Sequence, residues 1–165
     1  HTRYSTQQAI LEDIVASLYA QGMRKLIIIS GHGGNNFKGM IRDLAFVYPD
    51  FLIIATDWFS IVSPKGYFEA EIDDHAGESE TSVMMHYHPE LVNLDEAGDG
   101  KSKPFAIPSL NEKVGWAPRH WDKATIDSGV GNPRKASAEK GAYYVKPVIE
   151  KLAQLFTEVG QGELY

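Results

Sequence analysis

Leu26-Ile27-Ile28-Ile29-Ser30-Gly31-His32-Gly33-Gly34-Asn35-Asn36 is the stretch on which the reading of this chain turns. Its opening apolar run, three of whose residues are β-branched, reads as a strand of a parallel sheet covered on both faces. Three glycines around one histidine follow directly, and glycine lets the backbone turn tightly and lets a ligand come close. In a parallel sheet, ligands bind beyond the carboxyl ends of the strands. His32, with no bulky neighbours, stands at such an end and can hold a metal ion or a substrate. An isolated loop histidine is more often a structural one. What singles this one out is a second polar cluster downstream, Asp73-Asp74-His75-Ala76-Gly77-Glu78-Ser79-Glu80-Thr81-Ser82.

Working outward, Ser5 and Gln8 have capping-box spacing and open a helix. Its apolar face is read as Ile10, Leu11, Ile14, Leu18 and Tyr19, and Gln21-Gly22 stops it. A second helix starts at Asn35 or Asn36, with Phe37, Met40, Ile41, Leu44, Ala45 and Tyr48 as its buried stripe; Tyr48-Pro49-Asp50 breaks it. Phe51 to Thr56 is a second buried strand. Helix, strand, helix, strand is a parallel α/β unit with a right-handed crossover. A third helix begins at Ser79 or Thr81 and ends at Pro89. Regularity fades from Val92 to Pro133, where Trp116, His120 and Trp121 stand out, and a long irregular stretch of that kind tends to be functional. Ser137 to Val159 is an amphipathic helix in which Pro147 marks a kink or a junction. No repeat or linker is visible, so residues 1–165 are read as a single domain.

The 165 residues carry a net charge of −6 without a basic block, which speaks against a nucleic-acid surface. There is no cysteine, so any metal must be held by histidine and carboxylate. No apolar run approaches the ~20 residues of a membrane span. No leader is recognisable, and a cytoplasmic location is the default expectation. The chain starts at His1 instead of Met, so it is read as a fragment lacking its N-terminal part.

In the second cluster Asp74, His75, Glu78 and Glu80 crowd four titratable groups into seven positions. Such groups repel one another unless a cation or proton relieves them, and imidazole with carboxylate suits Zn²⁺ or Mn²⁺. Glu78 and Glu80, two apart, cannot both face inward from a regular helix. Alternatively, the carboxylates favour the positive end of the helix dipole. A different reading makes Gly31 to Asn36 a phosphate or nucleotide cradle at the start of the second helix. Against it, no Lys or Ser/Thr follows the glycines in P-loop order. No Gly-x-Ser-x-Gly elbow is present, which removes the usual serine-hydrolase arrangement.

Gly31-His32-Gly33-Gly34-Asn35, His75-Ala76-Gly77-Glu78-Ser79-Glu80-Thr81-Ser82 and Gly129-Val130-Gly131-Asn132-Pro133, the last followed by Ala136 and Glu139-Lys140-Gly141, together resemble the creatininase (creatinine amidohydrolase) family. The resemblance implies a three-layer α/β/α fold with a mainly parallel central sheet, and hydrolysis of a non-peptide C–N bond in a small cyclic or formyl amide. It implies two divalent ions, Zn or Mn with Fe as a further choice, and a homo-oligomer, often a hexamer. Residue by residue, it makes His32 a metal ligand and His75 the catalytic histidine, with Glu78 and Glu80 at acidic positions that line the site; Glu80, with Glu78 as the alternative, is read as a further metal ligand, and Glu78 and Asp74 as catalytic partners of His75. Gly33, Gly34 and Asn35 then line the substrate. Two departures stand out. The family's Glu-x-His-Gly-x-His run and bridging Asp are absent, and before His32 only His1, Glu12 and Asp13 offer replacements. The family's Tyr-Glu pair after the first-site histidine is Gly33-Gly34 here, a form shared with formamide deformylases and enzymes trimming modified peptides. A relative that keeps the fold without catalysis is the remaining alternative.

Overall fold

Helix α1 (Tyr4–Ala20), strand β1 (Lys25–Ser30), helix α2 (Lys38–Val47) and strand β2 (Leu52–Asp57) follow one another as the hydrophobic periodicity predicts. The computed structural model describes residues 2–163, so His1 lies outside the described residues. β1 and β2 pair in parallel, in register from Lys25 opposite Leu52 to Ser30 opposite Asp57. Residues up to Ser63, with those from Val148 onward, form one compact unit, and Pro64–Pro147 form a second.

In the first unit, Leu11 and Val15 of α1, Met40 and Leu44 of α2, and Phe51 and Ile53 make the buried core. Leu26 and Ile28 of β1 pack against it. Ile27 and Ile29 alternate onto the opposite face, as the two-residue period of a strand requires, and Ile29 is 49% exposed. The expectation of burial on both faces is therefore corrected: among the described residues the second face is only partly covered, with Ile27 and its partner Ile54 half-buried and Ile29 exposed. The helix stripe is also narrower than expected. Leu11 and Val15, four apart, face the core, while Ile10 and Ile14 lie one residue off that line and stay exposed. Ala45 is exposed for the same reason. The Ser5–Gln8 capping box does not form: α1 begins at Tyr4 without a side-chain cap, and Gln8 Nε2 donates to Asp43 instead. At α2 neither expected asparagine is the cap: the N-cap is Phe37, without a side-chain bond, and Asn36 just ahead of it accepts through Oδ1 from the Lys38 amide at 3.2 Å.

The second unit contains strand β3 (Asp73–His75), helix α3 (Glu78–Tyr87), the single turns α4 (Pro108–Asn111) and α5 (Trp121–Ala124), strand β4 (Val130–Gly131) and the start of helix α6 (Ala138–Gln161). β3 and β4 are antiparallel, with Asp73 opposite Gly131. Gly131, at φ +119°, has no room for a side chain: an added Cβ would lie 2.6 Å from the Ile72 carbonyl oxygen. α6 continues through Pro147, where the boundary between the two units falls. Its buried residue Tyr144 sits against Tyr67 and Phe68, with ring centroids 5.3 and 5.1 Å apart. No helix among the described residues is long and apolar enough to cross a membrane.

Two glycines of α6 make opposite predictions. A Cβ at Gly141 would fall on the Ser82 backbone of α3, whereas at Gly160 it meets nothing within 4 Å. Gly141→Ala is expected to cost about 1–3 kcal/mol through overpacking. Gly160→Ala is expected to raise stability by up to about 1 kcal/mol. Urea midpoints of the two variants check both signs.

Candidate functional site

The first polar cluster is built from its own backbone. Ser30, buried at the end of β1, donates through Oγ to the His32 carbonyl at 3.1 Å and accepts from Asn35 Nδ2 at 3.3 Å. The Gly34 amide donates to His32 Nδ1 at 2.9 Å, and the Asn35 amide to the His32 carbonyl at 3.1 Å. Gly34 is required for closeness, since a Cβ there would stand 3.0 Å from Nδ1. Neither Gly33 nor Gly34 adopts a positive φ; a Cβ added at Gly33 would meet the Phe59 ring at 3.7 Å, an ordinary contact. The amides of Gly34, Asn35 and Lys38 are all engaged locally, which takes away the row of donors an anion cradle uses.

A neutral imidazole that accepts at Nδ1 carries its proton on Nε2. A metal ion bound at His32 therefore requires Nδ1 to leave the Gly34 amide, or Nε2 to lose its proton. Among the described residues, no three His, Asp or Glu side chains gather so as to hold a metal ion. The described residues by themselves do not fit a metal centre.

The second cluster is a strand, a tight turn and a helix start. Ala76 takes φ +49°, a left-handed conformation that costs an L-residue roughly 1–2 kcal/mol. Two side chains of α3 hold it there. Glu80 Oε2 accepts from the Ala76 amide at 2.7 Å, and Thr81 Oγ1 donates to its carbonyl at 3.2 Å. Asp73 caps α3, its two oxygens accepting from the Ser79 amide at 3.2 and 3.1 Å. Helix α3 thereby starts at Glu78, ahead of the expected Ser79 or Thr81.

The four candidates of this cluster meet different surroundings. Glu78 is fully buried: Oε2 accepts from the Glu69 and Ala70 amides at 2.9 and 2.8 Å, and Oε1 from Lys140 Nζ at 2.5 Å. Lys140 spends its other two donors on Glu69, at 3.0 Å, and on the Lys135 carbonyl, at 2.9 Å. Hydrogen bonding to Glu78, then to Glu69, raises the Lys140 pKa. Glu80 is part-exposed, 3.9 Å from His75 Nδ1. His75 stacks on Trp121, centroids 5.1 Å apart. Asp74 pairs with Arg119 at 2.6 Å, and the Arg119 guanidinium lies 4.7 Å from the Trp121 ring centre. His75, Glu80, Asp74, Arg119 and Trp121 thus form one group on the second unit. His32, Gly33, Gly34 and Asn35 belong to the first unit. Sequence reasoning placed Asp73 in the cluster without a role, named Lys140 only in the late block, and did not single out Arg119. Trp121 stood out in the sequence but carried no role.

The chain thus combines an α/β fold with a glycine-flanked histidine after a parallel strand and a histidine–carboxylate turn at a helix start. The family model described as creatininase, creatinine amidohydrolase, matches residues 1–156, and the chain belongs to that family. A crystal structure of a Bacteroides fragilis protein, provisionally described as a creatinine amidohydrolase, is 81% identical. Its TM-score is 0.97, covering 100% of this chain and 65% of that one. The Mycofactocin precursor peptide peptidase of Mycobacterium ulcerans is 34% identical over 71% of this chain and 42% of its own length. The Creatinine amidohydrolase of Pseudomonas putida is 25% identical over 93% of this chain and 63% of its own. A mutant creatininase of Zn-Zn type shares the fold at TM-score 0.71, with 23% identity over 93% of this chain and 63% of that one. The chain therefore spans between 42% and 65% of the length of these relatives.

Glu69 carries an acid-limb prediction. Hydrogen bonds from Lys135, then Lys140, hold its pKa down at about 2 against an ordinary 4.5. A depressed carboxylate contributes stability that is present above its unfolded pKa and lost as pH falls through the folded one. Glu69→Gln is expected to flatten the loss of melting temperature between pH 4.5 and 2, and added salt is expected to shrink the difference. Lys140→Met strands the buried Glu78 carboxylate, so it should destabilise more than the Glu78→Gln/Lys140→Met pair. Thermal melts of the three variants decide this.

Proposed function

We propose that the intact protein hydrolyses the C–N bond of a small cyclic or formyl amide, with His75 as the group that serves the leaving nitrogen. The observation that carries this reading is the setting of His75: at the end of β3, stacked on Trp121, 3.9 Å from Glu80, on a turn locked by α3. Membership in the creatininase family supports the reaction class. Water adds to the amide carbonyl as His75 Nε2 takes its proton, and the imidazolium so formed returns that proton to the departing nitrogen as the C–N bond breaks. Glu80, on the Nδ1 side, steadies the imidazolium charge. Glu78 and Asp74 act one step away, Glu78 by fixing the Glu69–Ala70 backbone and Asp74 through Arg119. Gly33, Gly34 and Asn35 are assigned to the substrate side of the intact site.

The divalent ions, Zn or Mn with Fe as the further choice, are assigned to the intact protein, with His32 and Glu80 among their ligands. The described residues do not complete such a centre, and the proton chemistry above is written without it. A homo-oligomer accompanies this reading as an expectation of the family, and a cytoplasmic location as the default expectation from the sequence.

The test uses the intact protein against a panel of cyclic amides, formyl amides and short peptides. His75→Ala is expected to lower kcat by about 10²-fold or more, with melting temperature and metal content nearly unchanged. His32→Ala is expected to lose metal and activity together. Unchanged kcat in His75→Ala sinks the catalytic assignment, and turnover confined to peptides replaces the substrate class. Phosphate binding without turnover would favour the anion-binding alternative, and neither turnover nor ligand binding a non-catalytic relative.

A further inference from the structure

The segment Arg119-His120-Trp121 lies in the stretch where sequence periodicity fails, yet it touches β3 at two adjacent residues. Arg119 and Trp121 flank His120, whose backbone is extended at the start of α5, and the guanidinium sits 4.7 Å from the indole centre. Arg119 Nη2 reaches Asp74 Oδ2 at 2.6 Å, and the Trp121 ring meets the His75 ring at 5.1 Å with a 59° tilt. Asp74 and His75 are neighbours in β3, so the segment clasps the strand end between an ion pair and an aromatic stack.

Resting on the reading of His75 above, we propose that Arg119 is a positioning residue: anchored by Asp74, it holds Trp121 against His75 and so sets the direction of the imidazole. Three observations carry this. The Trp121 backbone is fastened on its far side, its carbonyl accepting from the Thr125 amide at 3.0 Å and Thr125 Oγ1 at 2.7 Å. That leaves the side-chain torsions as the freedom Arg119 restrains. The Arg119–Asp74 pair is part-exposed, at 34% and 52%, and pairs of that kind add little to stability, so the consequence of this one is chiefly geometric. Finally, a planar guanidinium can bond a carboxylate and lie on an indole face at once, which an ammonium cannot do equally well. Asp74, whose acidity suggests a proton donor, is on this account the anchor of the clasp.

The experiment is a side-chain NMR and kinetic comparison of the intact protein with Arg119→Met, Arg119→Lys and Asp74→Asn. The His75 ring protons, assigned by their loss in His75→Ala, are displaced by the Trp121 ring current in the parent. In Arg119→Met and Asp74→Asn the displacement and the His75–Trp121 cross-peaks are expected to weaken together, with Arg119→Lys in between. On an amide the parent turns over, kcat is expected to fall about tenfold or more in Arg119→Met, with KM within about twofold, as for a misaimed group. Melting temperatures are expected to stay within about 3 °C, which separates positioning from loss of fold. An unmoved His75 ring in both Arg119→Met and Asp74→Asn overturns the clasp, and a moved ring with unchanged kcat overturns its catalytic consequence. A parent that turns over no amide overturns the reading of the site instead, and the ring displacements alone then decide whether the clasp exists.

Discussion

A left-handed alanine is the constraint from which the second unit is built. Ala76 occupies a conformation that glycine would adopt without strain, and the cost is offset by bonds to both of its peptide groups from α3. Because Glu80 and Thr81 lie one turn into the helix they restrain, the helix start and the turn stabilise each other. Gly77 lets Asp73 come within capping reach, since any Cβ there would collide with its carboxylate. The direction of β3, the start of α3 and the place of His75 follow from this one turn.

The late glycine block serves the same assembly by shape. Gly131 has its backbone against Ile72 and Asp73, and an added Cβ on Gly100 would strike the Gly131 carbonyl. Gly141 lets α6 approach Ser82, whose buried hydroxyl accepts from the Ser137 amide at 3.1 Å. The blocks that read as one family signature are therefore, for the second and third, two sides of one packed surface. Their small residues report close backbone approach, and Lys140 reports a buried carboxylate that needs a counter-charge.

What could be read from the sequence divides along the same lines. Regular elements announced themselves through periodicity: β1, α2 and α6 fall within a few residues of expectation. The two-apart spacing of Glu78 and Glu80 correctly separated them, one buried and one at the surface. Apolar content misled where a second stripe runs beside the first, as with Ile10 and Ile14, and where a run of isoleucines was taken to mean two covered faces. The Ser5–Gln8 spacing was outcompeted by a tertiary partner, Asp43. Arg119 and Trp121 could not be placed, because their meeting with Asp74 and His75 joins residues some forty-five apart through a segment with no repeating pattern.

The sharpest difference concerns how the acidic cluster is relieved. Crowded carboxylates require a cation, and the sequence offered a metal as the natural one. The structure supplies side-chain cations to two of its carboxylates, Lys140 to Glu78 and Arg119 to Asp74, and Lys135 with Lys140 to neighbouring Glu69. Charge density along a chain does not by itself choose between a metal and side-chain cations, because lysines and arginines distant in sequence can fold back onto it. Glu80 is the informative case. Its partners are a backbone amide and a histidine, both of which leave the carboxylate oxygens some capacity for a further donor or ion. If one carboxylate of this cluster meets substrate or metal, the distribution of the other charges points to Glu80, with His75 beside it.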